Sequence, residues 1–181
     1  MLLGLYRVLT TLGGPLLDVL LWLRAKRGKE DPARLAERAG RASLPRPPGR
    51  LAWVHGASVG EALAALPLID MMLSKRPDLQ VLLTTGTVTS SRLMTDRLPP
   101  RARHQFLPLD RAVAWRRFFD HWRPVVGVLV ESELWPNLLA EASRRGLPLA
   151  LVNGRMSARS FARWRRLPSL AARLLGLLDL C

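Results

Sequence analysis

The chain has almost no cysteine and little histidine, and both shortages exclude classes of site. Its single cysteine, Cys181, is the last residue, so no intrachain disulfide can form, which fits a reducing compartment. The three histidines, His55, His104 and His121, lack metal-ligand spacing such as H-x-x-x-H, and no Ser-His-Asp order is recognisable. The sequence therefore gives no support for a metal centre, and we expect no cofactor.

Acidic residues are scarce relative to basic ones. The 14 Asp and Glu residues face 28 Lys and Arg residues, which gives a net charge of +14 and a pI near 11.7. Such a field attracts phosphates, whether they belong to nucleic acid, to anionic lipid or to a substrate. Apolar residues make up 49% of the 181 positions, enough for a globular chain with one good core.

The first 30 residues begin with a long apolar stretch. Residues 1–23 approach the length of a bilayer span, but Arg7, Asp18 and the Gly-Gly-Pro break at 13–15 interrupt them. The basic run RAKRGK follows, which favours keeping that side in the cytoplasm. We predict a membrane-associated segment over residues 1–30. The alternatives are an ordinary first core helix and a signal peptide.

After the proline-rich linker SLPRPPGR, strand-like and helix-like segments alternate. The strand-like runs are apolar throughout, as expected when both faces of a sheet are buried. This alternation predicts an α/β domain over residues 31–181, with a mostly parallel sheet flanked by helices. Strands are predicted at 51–55, 80–84, 104–107, 125–130 and 149–152, and helices near 61–74, 88–97, 112–122 and 134–145.

The stretch WVHGASVGEALAALP places an acid at a strand-to-helix corner, where open α/β sheets hold their ligands. Ser58, Gly60 and Glu61 stand at the predicted helix N-terminus, whose free N–H groups bind anions. The corner has neither the G-x-G-x-x-G fingerprint of dinucleotide sites nor a Walker A loop. Glu61 has an alternative interpretation as a first-turn acid that stabilises the helix dipole.

A second corner carries two acids. In VVGVLVESELWPNLL an apolar strand ends in Glu131 and Glu133, just before a helix. Their spacing of two residues favours the same side of an extended chain, at the sheet edge where ligands bind. The alternative is an acid pair that stabilises a helix start.

Two further turns carry hydroxyl and amide side chains. TTGTVTSS places Thr85 and other hydroxyls before a helix, where they cap the helix or hold sugar and phosphate oxygens. VNGRMSARS offers Asn153, Arg155 and Ser157 after the last predicted strand, in a setting that favours anions. A turn with a helix cap is the alternative for both.

The last segment, SARSFARWRRLPSLAARLLGLLDL, is basic and amphipathic, with Pro168 expected to kink it. It suits an anionic membrane surface, and a solvated helix flank is the alternative. The final LLDLC resembles the start of another strand, so we expect a partial chain.

Five stretches occur in an order that is more specific than any one of them: WVHGASVGE, TTGTVTSSRL, FLPLD with FFDHWRP, VESELWPNLL and LVNGRMSARS. Together with the opening LLGLYRVLTTLGGPLL and with RGKEDPARLAERAGR, they resemble the amino-terminal half of the Kdo transferases. These are the 3-deoxy-D-manno-octulosonic acid transferases of lipopolysaccharide assembly. The resemblance covers essentially the whole chain.

The resemblance implies a GT-B glycosyltransferase with two Rossmann-like domains. Its donor is CMP-Kdo and its acceptor a lipid A precursor, at the cytoplasmic face of the bacterial inner membrane. The amino-terminal domain mainly holds the acceptor, so the donor domain is expected to be absent here, with acceptor binding but no transfer by this half alone. By residue, Glu61 matches the proposed catalytic base, and Glu131 or Glu133 matches a second functional acid, with Glu131 favoured.

The resemblance also implies that a set of residues contacts the acceptor, namely Ser58, Gly60, Thr85, Glu133, Asn153, Arg155 and Ser157. The net positive charge is then expected to bind the phosphates of a bis-phosphorylated acceptor and the anionic lipid of the inner membrane. One alternative function is a non-catalytic module that binds an anionic membrane surface. Another is nucleic-acid binding, against which the sequence has no recognisable motif and places its arginines beside apolar stretches.

Overall fold

The computed structural model describes residues 2–131 and 134–181. Within them, five parallel strands form one sheet in the order β3-β2-β1-β4-β5. The predicted mostly parallel α/β sheet is therefore confirmed. The strands are β1 (Arg50–His55), β2 (Leu79–Thr85), β3 (Ala102–Phe106), β4 (Val126–Val130) and β5 (Leu149–Val152).

Helices connect the strands and cover both faces of the sheet. The amino-terminal helices α1 and α2 precede the domain, and a short turn and α3 lead into β1. The helices are α1 (Leu2–Leu12), α2 (Gly14–Lys26), a 3-10 turn (Pro32–Arg34), α3 (Leu35–Arg38), α4 (Val59–Lys75), α5 (Val88–Arg97), α6 (Ala112–Trp122), α7 (Pro136–Arg144), α8 (Ala158–Trp164) and α9 (Pro168–Leu175).

Successive residues of each strand point to opposite faces, and both faces are packed. One face is aromatic, where Trp53 of β1 meets Trp115, Phe118 and Phe119 of α6. The other face is aliphatic and packs β1, β2 and β4 against α4 and α5. Each fully buried large apolar side chain contributes about 1.5–3 kcal/mol, so both layers stabilise the sheet strongly. Burial on both faces explains why the strand sequences show no polar alternation.

The amino-terminal helices lie against the aromatic side. Helix α1 packs on α6 and α7 and meets α2 at a bend of 58° next to Gly13. Among the described residues, no single helix has the length and apolar character to cross a membrane, although α1 and α2 taken together have both. The pair leaves large apolar side chains exposed, namely Leu5, Val8, Leu9, Leu12, Leu16, Val19, Leu20, Trp22 and Leu23.

The carboxyl-terminal segment folds as two helices rather than as one kinked helix. Pro168 occupies the first turn of α9, where its missing N–H costs no hydrogen bond, so it starts a new helix. After α9, Leu180 pairs in parallel with Ala150, and its carbonyl accepts the N–H of Leu151 at 2.8 Å. The predicted strand-like character of LLDLC is thus seen as a pairing with β5.

Candidate functional site

The strand order changes direction between β1 and β4. From β1 the chain builds outward through β2 and β3, and then returns to place β4 on the other side of β1. In open α/β sheets, the crevice at such a point, beyond the carboxyl ends of the strands, is where ligands bind. Glu61 follows β1 and Glu131 follows β4, so the two acids favoured by the sequence flank this switch point.

The corner after β1 is held by its own side chains. Ser58 caps α4, with its Oγ accepting the N–H of Glu61 at 3.2 Å and donating to Glu61 Oε1 at 2.8 Å. Glu61 Oε2 accepts the N–H of Ala57 at 2.7 Å. Ser58 and Glu61 thus bond each other at the start of α4, and Glu61 also holds the backbone N–H that precedes the cap. These contacts are consistent with the alternative interpretation of Glu61, as a first-turn acid that stabilises the start of α4.

These contacts leave Glu61 with unused acceptor capacity. A carboxylate has about four lone-pair sites, and the two hydrogen bonds occupy two of them. The side chain is half-buried, and Gly60 beside it is exposed. A Cβ added at Gly60 would meet nothing closer than Ser58 Oγ at 3.9 Å, so packing does not demand glycine there. The first turn of α4 is open to a ligand.

The corner after β4 carries backbone strain. Glu131 has a φ of 63°, in the left-handed region that residues with a Cβ rarely adopt. Its N–H donates to the carbonyl of Val152 at 3.0 Å, which anchors the strained residue to β5. Asn153, at the end of β5, has a φ of 52°. Strained backbones cluster at functional sites, and this one is next to the switch point. Glu133 lies outside the described residues.

An acid that sequence reasoning left without a role supports this second corner. Asp110, between β3 and α6, accepts the N–H groups of Asn137 at 3.1 Å and Leu138 at 3.0 Å, the first turn of α7. It also accepts from Tyr6 Oη at 2.9 Å and Trp115 Nε1 at 2.8 Å. Burial raises the pKa of Asp110, and these four donors counteract that rise. The stretch FLPLD ends in this residue, which was its only sequence signal.

Thr85 is fully buried beneath the corner after β2. Arg34 donates to His104 Nδ1 at 3.1 Å, so Nε2 carries the ring proton and donates to Thr85 Oγ1 at 2.8 Å. Burial first, and then the nearby Arg34 and Arg38 charges, lower the pKa of His104 to about 3. These bonds support the loop from below, whereas the cap of α5 is Thr87, whose Oγ1 accepts the N–H of Ser90 at 3.1 Å. An acceptor contact of Thr85 stays a prediction.

The corner after β5 is open to solvent. Asn153, Arg155 and Ser157 are all exposed, and Ser157 Oγ accepts the N–H of Ser160 at 3.2 Å as the cap of α8. The arginines of α8 and α9 follow directly. Between Gly154 and Leu178 the chain has six arginines and no acid. This corner therefore presents a positive surface on the β4–β5 side of the switch point.

A cavity of about 380 Å³ opens between α2 and the carboxyl ends of β1, β2 and β3. Its walls are apolar side chains of α2 together with Leu107, Leu109 and Trp135, and Ala57 and Gly86 border it. Of the predicted site residues that the structure describes, none lines it. Ala57 connects it to the first corner, because its N–H holds Glu61.

Three charged residues that sequence reasoning missed also border this cavity. Arg38 is buried and donates to Glu30 at 2.8 Å and to the carbonyls of Leu107 and Gly86 at 3.1 and 2.6 Å. Arg24 donates to Glu30 through Nε alone, at 2.9 Å, and is half-exposed. No short sequence motif predicts this cluster. Within the described part of the chain, Arg24 is the more exposed of the two arginines at the cavity and bonds through Nε alone.

Comparisons with known proteins agree with the resemblance. Residues 33–181 match the family described as 3-Deoxy-D-manno-octulosonic-acid transferase (kdotransferase). A probable mitochondrial 3-deoxy-D-manno-octulosonic acid transferase of Arabidopsis thaliana is 44% identical over 88% of this chain and 36% of its own length. The 3-deoxy-D-manno-octulosonic acid transferase of Rickettsia bellii is 38% identical over 90% and 38%.

The chain thus spans little more than a third of the length of these curated relatives. A solved UDP-N-acetylglucosamine 2-epimerase, 15% identical, aligns over 76% of this chain and 40% of its own with a TM-score of 0.47. The family match covers most of the sequence and includes every candidate site residue. The chain belongs to the 3-deoxy-D-manno-octulosonic acid transferase family.

Proposed function

We propose that this chain is the acceptor-binding half of a GT-B glycosyltransferase that transfers Kdo from CMP-Kdo to a lipid A precursor in lipopolysaccharide core assembly. The observation that carries the proposal is Glu61, an acid with free acceptor capacity at the switch point, beside an open helix N-terminus. The donor nucleotide is bound mainly by the carboxyl-terminal region that the longer relatives contain.

In this proposal Glu61 is the general base. The acceptor hydroxyl gives its proton to Glu61 as its oxygen attacks the anomeric carbon of Kdo, and the CMP phosphate leaves with the electron pair of the broken bond. General-base assistance contributes about 10²–10⁴-fold in rate. The hydrogen bonds from Ala57 and Ser58 support this role because they fix the orientation of the carboxylate before the acceptor arrives.

The remaining predicted residues would hold the acceptor. Glu131 is the second functional acid, and Arg155 with the arginines that follow it meets acceptor phosphates by charge-assisted bonds. The exposed corner after β5 and the acid-free stretch after it support this placement. Gly60, Ser58, Asn153 and Ser157 are further contacts in the proposal, as are Thr85 and Glu133.

The proposal places the protein at the cytoplasmic face of the bacterial inner membrane. The apolar side chains that α1 and α2 leave exposed support contact with lipid tails, and the net charge of +14 supports contact with anionic head groups. In this view residues 1–30 are the membrane-associated segment and residues 31–181 the acceptor-binding domain.

The test is Glu61→Gln in a chimera of this chain with the carboxyl-terminal region of the Rickettsia bellii relative. We expect transfer of labelled Kdo from CMP-Kdo to a lipid A precursor to fall by about 10²–10⁴-fold. Asp70→Asn is the matched control, because Asp70 is an exposed acid further along the same helix. Transfer near the wild-type rate in Glu61→Gln would show that Glu61 is not the base.

The second candidate function is a non-catalytic module for anionic membrane surfaces, which the exposed apolar faces and the arginine-rich α8–α9 segment favour. It predicts vesicle binding by the 181-residue chain together with a chimera that has no transfer activity at all. An active chimera that loses activity in Glu61→Gln excludes it.

A further inference from the structure

A single half-buried carboxylate joins three helices near the second corner. Asp110 accepts one hydrogen bond from α1 through Tyr6, one from α6 through Trp115, and two from the first turn of α7. All four lone-pair sites of the carboxylate are thereby used. Sequence reasoning assigned Asp110 no part in the proposed site.

Helix α7 depends on this carboxylate for its cap. Its N-cap residue, Trp135, has an indole side chain without an acceptor oxygen, and Pro136 has no N–H. The N–H groups of Asn137 and Leu138 therefore need an acceptor from elsewhere in the chain. Asp110 supplies one with a negative charge, which the positive end of the helix dipole also favours.

A second contact repeats the connection between α1 and α7. The side-chain amide of Asn137 donates to the carbonyl of Asp110 at 2.7 Å and to Thr10 Oγ1 at 3.0 Å. Tyr6 and Thr10 thus both connect α1 to the first turn of α7. They lie on the inward face of α1, whereas Leu5, Leu9 and Leu12 on its other face are exposed.

The helix held in this way begins just after the candidate acid Glu131. The N–H of Glu131 is bonded to the carbonyl of Val152 at 3.0 Å, and Asp110 fixes the start of α7 at Asn137 and Leu138. Trp135 and Asp110 also border the cavity under α2, so a shift of the start of α7 reshapes that cavity as well.

We infer that Asp110 is a positioning residue that couples the seating of α1 on a lipid surface to the position of the start of α7, the helix that follows Glu131. The inference rests on the proposed function for the roles of α1 and Glu131. Lipid contact at the outward face of α1 restrains Tyr6 and Thr10, and these side chains restrain Asp110 and Asn137. The start of α7 is then held more firmly when the protein is bound to lipid.

The test measures hydrogen exchange of residues 134–140 in the 181-residue chain, free and bound to vesicles of phosphatidylcholine and phosphatidylglycerol. In the wild type we expect vesicle binding to slow this exchange by about fivefold, comparable with the net worth of one hydrogen bond. The double variant Tyr6→Phe/Thr10→Val should bind vesicles equally well and show the same exchange with and without them.

Thr11→Val is the matched control. Thr10 and Thr11 both donate to the carbonyl of Arg7, but only Thr10 accepts from Asn137, so the control should respond to vesicles as the wild type does. A merely structural role for these contacts would speed exchange equally in free and bound protein. Such an equal change would overturn the inference. So would a vesicle response in the double variant equal to that of the wild type, or a wild type that binds no vesicles.

None of these readouts depends on transfer of Kdo. Failure of the coupling therefore leaves Glu61 and the proposed reaction untouched. Failure of the Glu61→Gln test in turn leaves the exchange measurements valid.

Discussion

The loops that follow β1 and β4 both carry a candidate acid at the switch point, yet they are held in place in different ways. The first is capped by its own residues, since Ser58 and Glu61 bond to each other and to the adjacent backbone. The second is capped from elsewhere, because Asp110 reaches the start of α7 across 27 positions of sequence. The first acid is therefore positioned by its own turn, whereas the helix after the second acid follows whatever moves Asp110.

The largest expected effect separates the two acids in catalysis. In the chimera, Glu61→Gln should lower kcat by about 10²–10⁴-fold, since the proposal makes Glu61 the general base. Glu131→Gln should raise KM more than it lowers kcat, since the amide still hydrogen-bonds the acceptor. Steady-state kinetics with both substrates varied gives the two constants. A fall in kcat for Glu131→Gln as large as that for Glu61→Gln would transfer the role of base to the second corner.

The next effect concerns stability. Here we expect a substitution at the second loop to lower the free energy of unfolding more than one at the first loop. Asp110→Ala leaves buried donors of Trp115 and α7 without an acceptor, so the free energy of unfolding should fall by about 3 kcal/mol. Glu61→Ala removes part of an exposed cap and should lower the free energy of unfolding by about 1 kcal/mol. Urea titration of the 181-residue chain measures both, with Asp70→Ala as the control for an exposed acid. Equal losses would mean that the remote cap is no stronger than the local one.

The loop after β2 is an intermediate case and gives a pH-dependent prediction. It has a local cap from Thr87 and Ser90, and a buried support from His104. The pKa of His104 is lowered from 6.5 in the unfolded chain to about 3 by burial and by Arg34 and Arg38. The folded state therefore binds fewer protons. The stability that the neutral ring contributes is complete above pH 6.5 and is lost as the pH falls toward 3.

Within that window one proton per molecule is taken up on unfolding. The free energy of unfolding therefore falls by about 1.4 kcal/mol for each unit by which the pH is lowered. Urea titrations from pH 7 to pH 4 should show this contribution in the wild type, and His104→Gln should lack it. His121→Gln is the control, because His121 contacts the carbonyl of Leu44 near the surface and lies outside the buried network. A variant at position 104 that keeps the wild-type slope would contradict the assignment.

The difference between the two corners also explains what the sequence could predict. The strands were predictable from apolar runs because both faces of the sheet are buried. The predicted 149–152 coincides with β5, and 51–55 falls one residue short of β1. The cap of α4 is readable as Ser58 followed three residues later by Glu61. Asp110 was not predictable as a cap, because the N–H groups that it caps lie 27 and 28 positions away and no local spacing encodes that contact.

The smallest effect tests the strain at the second corner. Glu131→Gly removes the Cβ that makes a φ of 63° unfavourable, a cost of about 1–2 kcal/mol, but adds the backbone entropy of glycine, about 0.5–1 kcal/mol. The net expectation is a gain of about 0.5–1 kcal/mol in the free energy of unfolding. Glu131→Ala keeps the strain and should show no such gain.

Arg123→Gly provides the matched comparison, since Arg123 has a φ of 43° at the end of α6, before β4 and away from the switch point. Both glycine variants should be stabilised to a similar extent in urea titration. In the chimera, however, only Glu131→Gly should lose transfer activity, because it also removes the carboxylate that the proposal makes the second functional acid. If both variants keep full activity, the left-handed backbone after β4 is a structural turn like the one after α6, and Glu131 loses its place in the proposed site.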